Sequence, residues 1–414
     1  MSEGWPRVAL GDLADLSIGR TPSRDEPRYW TTDLERPFCT IADMRGVRAV
    51  SPSREGVTDV AEAEGKAKRV PAGALLMSFK LTIGRTAFAA CDLFPNEAIV
   101  WIQPRDSNVD LDYLRLYLPL HDYTLSVGVA VKGKTLNQKT LATLEIPLPP
   151  IEEQARIARL GRVLDFTVER AEEAARQATA LLKLARDELV ADAELVSFAE
   201  LLTKIEVGES PRCLDRRPAP EEWGVLKISA VRPARFDPNE AKALPAGVQP
   251  KLAAQVKSGD LLMTRSNTLD RVGAACVVDV EADNLLLCDL IFRLGLAEGA
   301  DPTFIAHALS TRRVREQIEA NAVGTSGSMK KVNQSIIREL HVPLLSPQEQ
   351  AAATDLLADY AGAVRASEQG LASVRALRNA IVAELMLGTH VIPGTYDGLT
   401  KMSGSTIETE PAVA

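Results

Sequence analysis

The sequence predicts an α+β protein made by tandem duplication, each copy a globular α/β domain followed by one long helix. Three observations carry this. Residues 127–154 align without a gap onto residues 323–350, at an offset of 196, with ten of the 28 positions identical. Downstream of each window, apolar residues recur at three- and four-residue spacing, as in a coiled-coil seam rather than a globular helix stripe. Upstream of each window, short β-rich runs alternate with Gly, Pro and Asp turns. The expected boundaries are 1–145 and 196–341 for the globular domains, 146–195 and 342–392 for the helical segments, and 393–414 for a small, polar, disordered tail.

In the globular part of each copy the expected strands include Ala74-Leu-Leu-Met77 and Ile99-Val-Trp-Ile102, with Asp260-Leu-Leu-Met263 and Leu290-Ile-Phe292 in the second copy. A helix is expected around residues 112–118 and 303–319. Weaker echoes reinforce the duplication. Gly19-Arg-Thr-Pro22 returns as Gly208-Glu-Ser-Pro211, and Gly73-Ala-Leu-Leu-Met-Ser78 as Gly259-Asp-Leu-Leu-Met-Thr264. Their smaller offsets imply loop insertions and deletions. Asn137-Gln138 and Asn333-Gln334, alike in both copies, are expected to cap a turn.

The first helical segment follows the extended Ile146-Pro-Leu-Pro-Pro150. Its seam runs through Ile157, Leu160, Leu164, Val168, Ala171, Ala175, Ala178, Leu182, Ala185 and Leu189. The second runs through Ala353, Leu356, Tyr360, Val364, Ser367, Leu371, Val374, Ile381 and Leu385, with Arg378 interrupting. Ser346-Pro-Gln-Glu349 has the order of a capping box, with Pro at the first helical position. Pro150 replaces that serine in the first copy, so its cap must be made differently. Two helices of matched length, each about 60 Å for roughly 40 residues, most simply pack on each other.

With 414 residues the chain exceeds one ordinary domain. Five cysteines, far apart and never in a C-x-x-C pair, read as reduced thiols of a cytoplasmic protein. No run of 18 apolar residues is available for a membrane span, and Met1-Ser-Glu-Gly-Trp5 is not expected to begin a signal peptide. The 48 basic and 56 acidic side chains give a net charge of −8, which by itself argues against nucleic-acid binding. By segment the picture changes. Residues 1–145 carry 18 basic and 19 acidic side chains and residues 196–341 carry 19 of each, so seven of the eight excess negative charges lie elsewhere.

Within the globular domains the cations cluster at corresponding loops. Arg20, Arg24 and Arg28 answer to Arg212, Arg216 and Arg217. Lys80 and Arg85 follow the Leu-Leu-Met strand, as do Arg265 and Arg271. Lys132, Lys134 and Lys139 lie in the repeat window, as do Lys330 and Lys331. With Ser266 and Asn267 as further hydrogen-bonding groups, these loops form a candidate duplex-DNA footprint, phosphates first and base edges second.

Catalytic signals are weak. Gly128-Val-Ala-Val-Lys-Gly133-Lys134-Thr135 fits the phosphate-loop pattern, but a helical pattern precedes it where a strand is required. The equivalent loop lacks the second Gly and the hydroxyl. His121, His307, His341 and His390 are isolated, without metal-ligand spacing. No nucleophile elbow, dinucleotide loop or methyltransferase motif occurs, so the chain is expected to be non-catalytic and to bind no cofactor or metal.

Two variable domains, each closing on a G…N-Q…I-P-L-x-x-x-E-Q segment and a long helix, resemble the specificity subunit of type I restriction-modification systems. The resemblance runs from Trp5-Pro-Arg-Val-Ala-Leu-Gly11 to Gly388-Thr-His-Val-Ile-Pro393 and is most specific at residues 146–154. The second copy departs from it, opening Val196-Ser-Phe-Ala-Glu without Trp-Pro and carrying Glu in its Gly208-Glu-Ser-Pro211 loop. The resemblance implies two target-recognition domains, each reading half of a bipartite double-stranded DNA site. It also implies an antiparallel coiled coil that sets their spacing around a pseudo-twofold axis. It implies partners too: methyltransferase subunits, usually two, that bind S-adenosylmethionine and methylate adenine at N6, and translocase-nuclease subunits using ATP and Mg. A coiled-coil scaffold of another phage-defence complex, and an enzyme using the 128–135 loop for a nucleotide, are the alternatives.

Overall fold

The structure is a computed structural model that describes residues 5–123, 136–282, 284–324, 329–388 and 392–394. The 128–135 loop, Lys132, Lys134, His390 and all but the start of the tail lie outside the described residues. The chain forms two compact units, the first assembled from two separated stretches of sequence and the second from one continuous stretch. One comprises residues 1–171 and 370–414, the other residues 172–369. Both unit boundaries fall inside long helices, the central helix Ile151–Leu189 and the C-terminal helix Pro347–Met386.

In the first unit a five-stranded sheet has the order Ala14–Ile18, Ile99–Pro104, Leu75–Ser78, Thr86–Ala89, Ala49–Val50. The pairings are antiparallel except the last. The Leu-Leu-Met run is buried on both faces, so continuous apolar residues rather than alternation are what its position requires. A second ladder, Arg7–Ala9 against Glu145–Pro147, ties the chain start to the segment entering the central helix, with Val8 opposite Ile146. The core gathers Leu75, Met77, Tyr113, Leu114 and Leu116. Ile157 joins it from the start of the central helix, and Val382, Leu385 and Met386 from the end of the C-terminal helix.

The second unit repeats the plan. Its four-stranded sheet has the order Leu202–Val207, Ile291–Leu296, Leu261–Thr264, Ala275–Val277, all antiparallel. Glu194–Ser197 pairs with His341–Leu344, so Val196-Ser-Phe folds as Val8-Ala-Leu does despite lacking Trp-Pro. The equivalence extends to single hydrogen bonds: Leu10 N donates to Leu144 O and Phe198 N to Leu340 O, both at 2.8 Å. Here the core includes Val190 beyond the end of the central helix and Ala353 near the start of the C-terminal one. Each unit therefore unites the early part of one helix with the late part of the other, the antiparallel relation.

The helix ends show how the repeat motif works. In the second unit Ser346 N donates to Glu349 Oε2 at 2.9 Å and Glu349 N to Ser346 Oγ at 3.4 Å, the expected capping box. In the first, the Pro150 carbonyl accepts from Glu153 N and Gln154 N instead. The Gln that closes each motif is buried and makes three bonds. Gln154 accepts from Asp110 N at 2.9 Å and donates to the carbonyls of Asn108 and Pro149. Gln350 accepts from Asp301 N at 2.8 Å and donates to those of Gly299 and Leu345. Asp110 and Asp301 are in turn the N-caps of the helices Leu111–Tyr117 and Pro302–Ala308. One side chain thus locks the long helix to the start of the domain helix.

The seam positions are buried or half-buried with one shift. Near the start of the C-terminal helix Leu357, not Leu356, is buried, leaving Leu356 44% exposed. The polar interruption at Arg378 has a partner. Its Nε and Nη2 lie 3.0 and 2.9 Å from Asp165 Oδ1. Asp165 also receives Arg115 at 2.5 Å, and Asp112 receives Arg48, Arg115 and Arg162 at about 3 Å. Burial alone would raise the Asp112 carboxyl, but these arginines outweigh it and hold it below its usual range. In the second unit the contact between helix and domain is different. Buried Arg186 donates from Nε to His307 Nδ1 at 2.9 Å. Burial, with the Arg186 charge, pushes His307 down to about 3, and burial lowers Arg186 to about 10.

Candidate nucleic-acid interface

In each unit the first turn loop, the segment after the Leu-Leu-Met strand and the described end of the repeat window meet at one junction. In the second, Gly208 enters so close to the backbone that a Cβ there would lie 1.9 Å from Leu287 O. This close approach sets Ser210 to donate to the Asp289 carboxylate. The Asp289 carbonyl accepts from Arg265 Nη1 at 3.2 Å, and the Arg265 carbonyl accepts from Val332 N at 2.9 Å. Beyond it, Ser266–Asn267 pairs with Lys330–Lys331, with Ser266 opposite Lys331 and Asn267 opposite Lys330. Arg265, Asn267, Lys330 and Lys331 are thereby gathered on a two-stranded ribbon beside the first turn loop.

The first unit builds the same junction. A Cβ on Gly19 would meet Pro95 O at 2.2 Å, Thr21 donates to Glu97, and Phe79 O accepts from Leu136 N at 3.3 Å. The Thr21 hydroxyl chiefly, with a smaller contribution from Lys80, holds the Glu97 carboxyl below its usual range against its burial. Lys80 thus sits at the junction with Arg20, whose Nη1 donates to Gly65 O at 2.7 Å. Lys139 is exposed on the short helix Gln138–Ala142 that follows. Asn137 and Asn333 cap the helices Gln138–Ala142 and Gln334–Glu339, as expected of them.

Other expected contact residues are placed elsewhere. Arg24 stacks 3.6 Å over the Trp30 ring and makes a two-pronged pair with Glu55 at 2.6 and 2.7 Å. Arg28 pairs with Glu64 at 2.8 Å. Arg216 is forked onto Glu222, whose carboxyl that bond lowers to about 2. Arg216 lies along Ala241–Ala243, in the smaller three-stranded sheet, and the exposed Arg212 and Arg217 flank it in sequence. Ser266 is buried with its hydroxyl toward Met329 Sδ, so its side chain is turned from solvent.

Arg85 and Arg271 both follow the Leu-Leu-Met strand but occupy different positions in the turn. Ser78 N donates to Arg85 O, whereas Thr264 N donates to Ala274 O. Arg85 therefore answers to Ala274, and its guanidinium donates to Ile41 O rather than projecting. A three-residue longer turn in the second unit hides this in the sequence. Arg271 remains exposed beside Asp270. Sequence reasoning missed Arg315, which donates to Val272 O at 2.5 Å and Leu269 O at 3.1 Å and braces that turn from the helix Arg312–Asn321. Its side chain lies over 40 residues away in sequence, and nothing local marks it.

Among the described residues no group of three metal-ligating side chains is found, and no helix is long and apolar enough to cross a membrane. All five cysteines are free thiols. What the fold and the junctions define is a duplicated chain that presents one polar, cation-bearing loop junction per unit and anchors each unit on both long helices.

Comparison with known proteins agrees. Residues 2–172 match the family of the type I restriction modification DNA specificity domain. The chain is 30% identical over 154 residues to the Escherichia coli type I restriction enzyme EcoEI specificity subunit, covering 36% of this chain and 26% of that protein. It is 29% identical over 169 residues to the Methanocaldococcus jannaschii MjaIX specificity subunit, covering 40% of this chain and 39% of the relative. To the Escherichia coli K12 EcoKI specificity subunit it is 26% identical over 294 residues, covering 64% and 61%. The matches thus span from about a quarter to three-fifths of the length of these relatives. In fold it is similar to the S subunit of a type I restriction-modification system from M. genitalium, with TM-score 0.51, 13% identity and coverage of 93% and 97%. A chain from a structure describing assembly and conformational transition of the type I R-M system gives TM-score 0.53 and 15% identity, covering 94% and 99%. Over residues 2–172 the chain is thus similar to the type I restriction modification DNA specificity domain, and its fold is similar to that of a type I S subunit.

Proposed function

We propose that this chain is the DNA-reading, non-catalytic subunit of a type I restriction-modification complex in the cytoplasm. Each unit reads one half of a bipartite duplex site, and the paired helices fix the gap between halves. The observation that carries this reading is the recurrence of one junction in two units: Thr21–Glu97 with Lys80, and Ser210–Asp289 with Arg265, each beside the end of the repeat window. A reader of two different half-sites needs a constant frame and variable cations, and the junctions have that character.

In this reading Lys330, Lys331, Lys80 and Arg20 meet phosphates, while Arg265 and Asn267 approach base edges. Lys132 and Lys134 belong to the same proposed footprint. Arg24, Arg28, Arg85, Arg212, Arg216, Arg217 and Arg271 act in supporting or peripheral contacts. Two rigid readers on helices about 60 Å long suit half-sites about one DNA turn, or 34 Å, apart. Methyltransferase subunits, two in number, bring S-adenosylmethionine and methylate adenine at N6. Translocase-nuclease subunits bring ATP and Mg for cleavage of unmethylated DNA. Methylome sequencing of the host with and without this gene tests the proposal. A gapped, two-part adenine motif lost on deletion is expected, and an unchanged methylome would refute it.

A further inference from the structure

Leu81 carries two costs that the fold does not repay. Its side chain is 90% exposed, more than any other large apolar side chain among the described residues. Its φ is +61°, in the left-handed region where a branched side chain crowds the backbone. Ala234 is the single other non-glycine residue at positive φ among those described. Strain of this kind persists where the surroundings enforce it, and it concentrates at binding sites.

The turn that holds Leu81 is fixed. Ser78 Oγ donates to Thr82 O and accepts from Arg85 N at 3.1 Å. Gly84 N donates to Ser78 O at 2.9 Å, and Gly84, at φ +84°, sits where a Cβ would lie 2.7 Å from the Tyr123 ring. Leu136 N closes the base of the turn on Phe79 O. Leu81 is therefore an apolar group held out at a set position, next to Lys80 and beside the loop of Arg20 and Thr21. The matching turn of the second unit also shows solvent a leucine, Leu269, 38% exposed and braced by Arg315.

The cations around it point to a polyanion rather than an apolar protein surface. The apolar group that a duplex offers in its major groove is the thymine methyl. We propose that Leu81 is a specificity-determining residue that packs on a thymine methyl in the half-site read by the first unit. This rests on the DNA-reading function proposed above.

The test uses the chain assembled with its methyltransferase subunits and the duplex motif found by methylome sequencing. Each thymine of the first half-site is replaced in turn by deoxyuridine, which deletes the methyl alone. At one position the wild-type complex is expected to lose about fourfold in affinity, the worth of one buried methyl group. Leu81→Ala is expected to bind the parent site about tenfold more weakly and to ignore that uracil. Leu81→Gly, which relieves the backbone, is expected to lose the same affinity while its melting temperature rises by about 1–3 °C. Wild type and Leu81→Ala responding alike to every uracil would overturn the proposal. So would Leu81→Ala shedding methyltransferase subunits with DNA discrimination intact, which would make this a protein contact. A wild-type complex that discriminates no gapped site would instead refute the underlying reading.

Discussion

Arg378, the one charged interruption in the apolar seam of the C-terminal helix, is forked onto Asp165 of the central helix, its Nε and Nη2 3.0 and 2.9 Å from Oδ1. The contact pairs the end of one helix with the early part of the other, so it satisfies one antiparallel register and no slipped one. A polar pair in a seam is a poor source of stability but a good specifier of register.

Asp165→Ala removes the carboxylate partner of Arg378 and one of the two carboxylates on the 6%-exposed Arg115, which keeps Asp112, and is expected to cost about 3 kcal/mol. The double change Asp165→Leu with Arg378→Leu is expected to recover most of that loss. Chemical denaturation followed by a probe in the first unit checks both. Equal loss in the single and double variants would contradict the register role.

Gln154→Ala leaves Asp110 N and two carbonyls without their partner, and Gln350→Ala does the same at Asp301. Each is expected to cost about 2–4 kcal/mol, confined to its own unit. Hydrogen exchange should show lost protection at residues 110–114 for the first and 301–305 for the second. Uniform change across the chain would argue against this local lock.

Acidification tests the Arg186–His307 contact. His307 is depressed to about 3 in the fold against about 6.5 when unfolded, so below pH 6.5 the unfolded chain binds the extra proton. Stability is complete above pH 6.5 and falls as the pH drops from there toward 3, by about 1.4 kcal/mol per unit. His307→Gln keeps an acceptor for Arg186 and is expected to flatten the pH 5–7 dependence of second-unit melting. An unchanged slope would refute it.

The junction geometry separates the expected cations. Arg265→Ala is expected to weaken specific binding by about tenfold or more without affecting assembly, and Lys331→Ala to lower the salt slope by about one. Arg24→Ala and Arg216→Ala, which break pairs with Glu55 and Glu222, are expected to change affinity less than threefold. Titrations at several salt concentrations decide. Equal losses in all four variants would show that the ion-paired arginines are released onto DNA.

The duplication, the helix caps and the paired Asn residues were legible because each depends on neighbours within a few positions. The seam was legible as a period, but Leu357 rather than Leu356 fills it near the start of the C-terminal helix, where the seam joins a domain core. Arg378 read as a defect because its partner lies 213 residues away. Pairing of Arg7–Ala9 with Glu145–Pro147 is equally non-local. At the junction, sequence supplied the cations but not their commitments. Glu55, Glu64 and Glu222 are distant or unremarkable in the chain, yet they decide which arginines are already paired.

In the function proposed above, the two helices set the distance between two independent readers. Inserting one heptad at matched places in both helices lengthens them by about 10 Å, or about three base pairs of duplex. Methylome sequencing of a host carrying that variant is expected to show the same two half-sequences with a wider gap, or to show no methylation. An unaltered motif with its original gap would contradict the account.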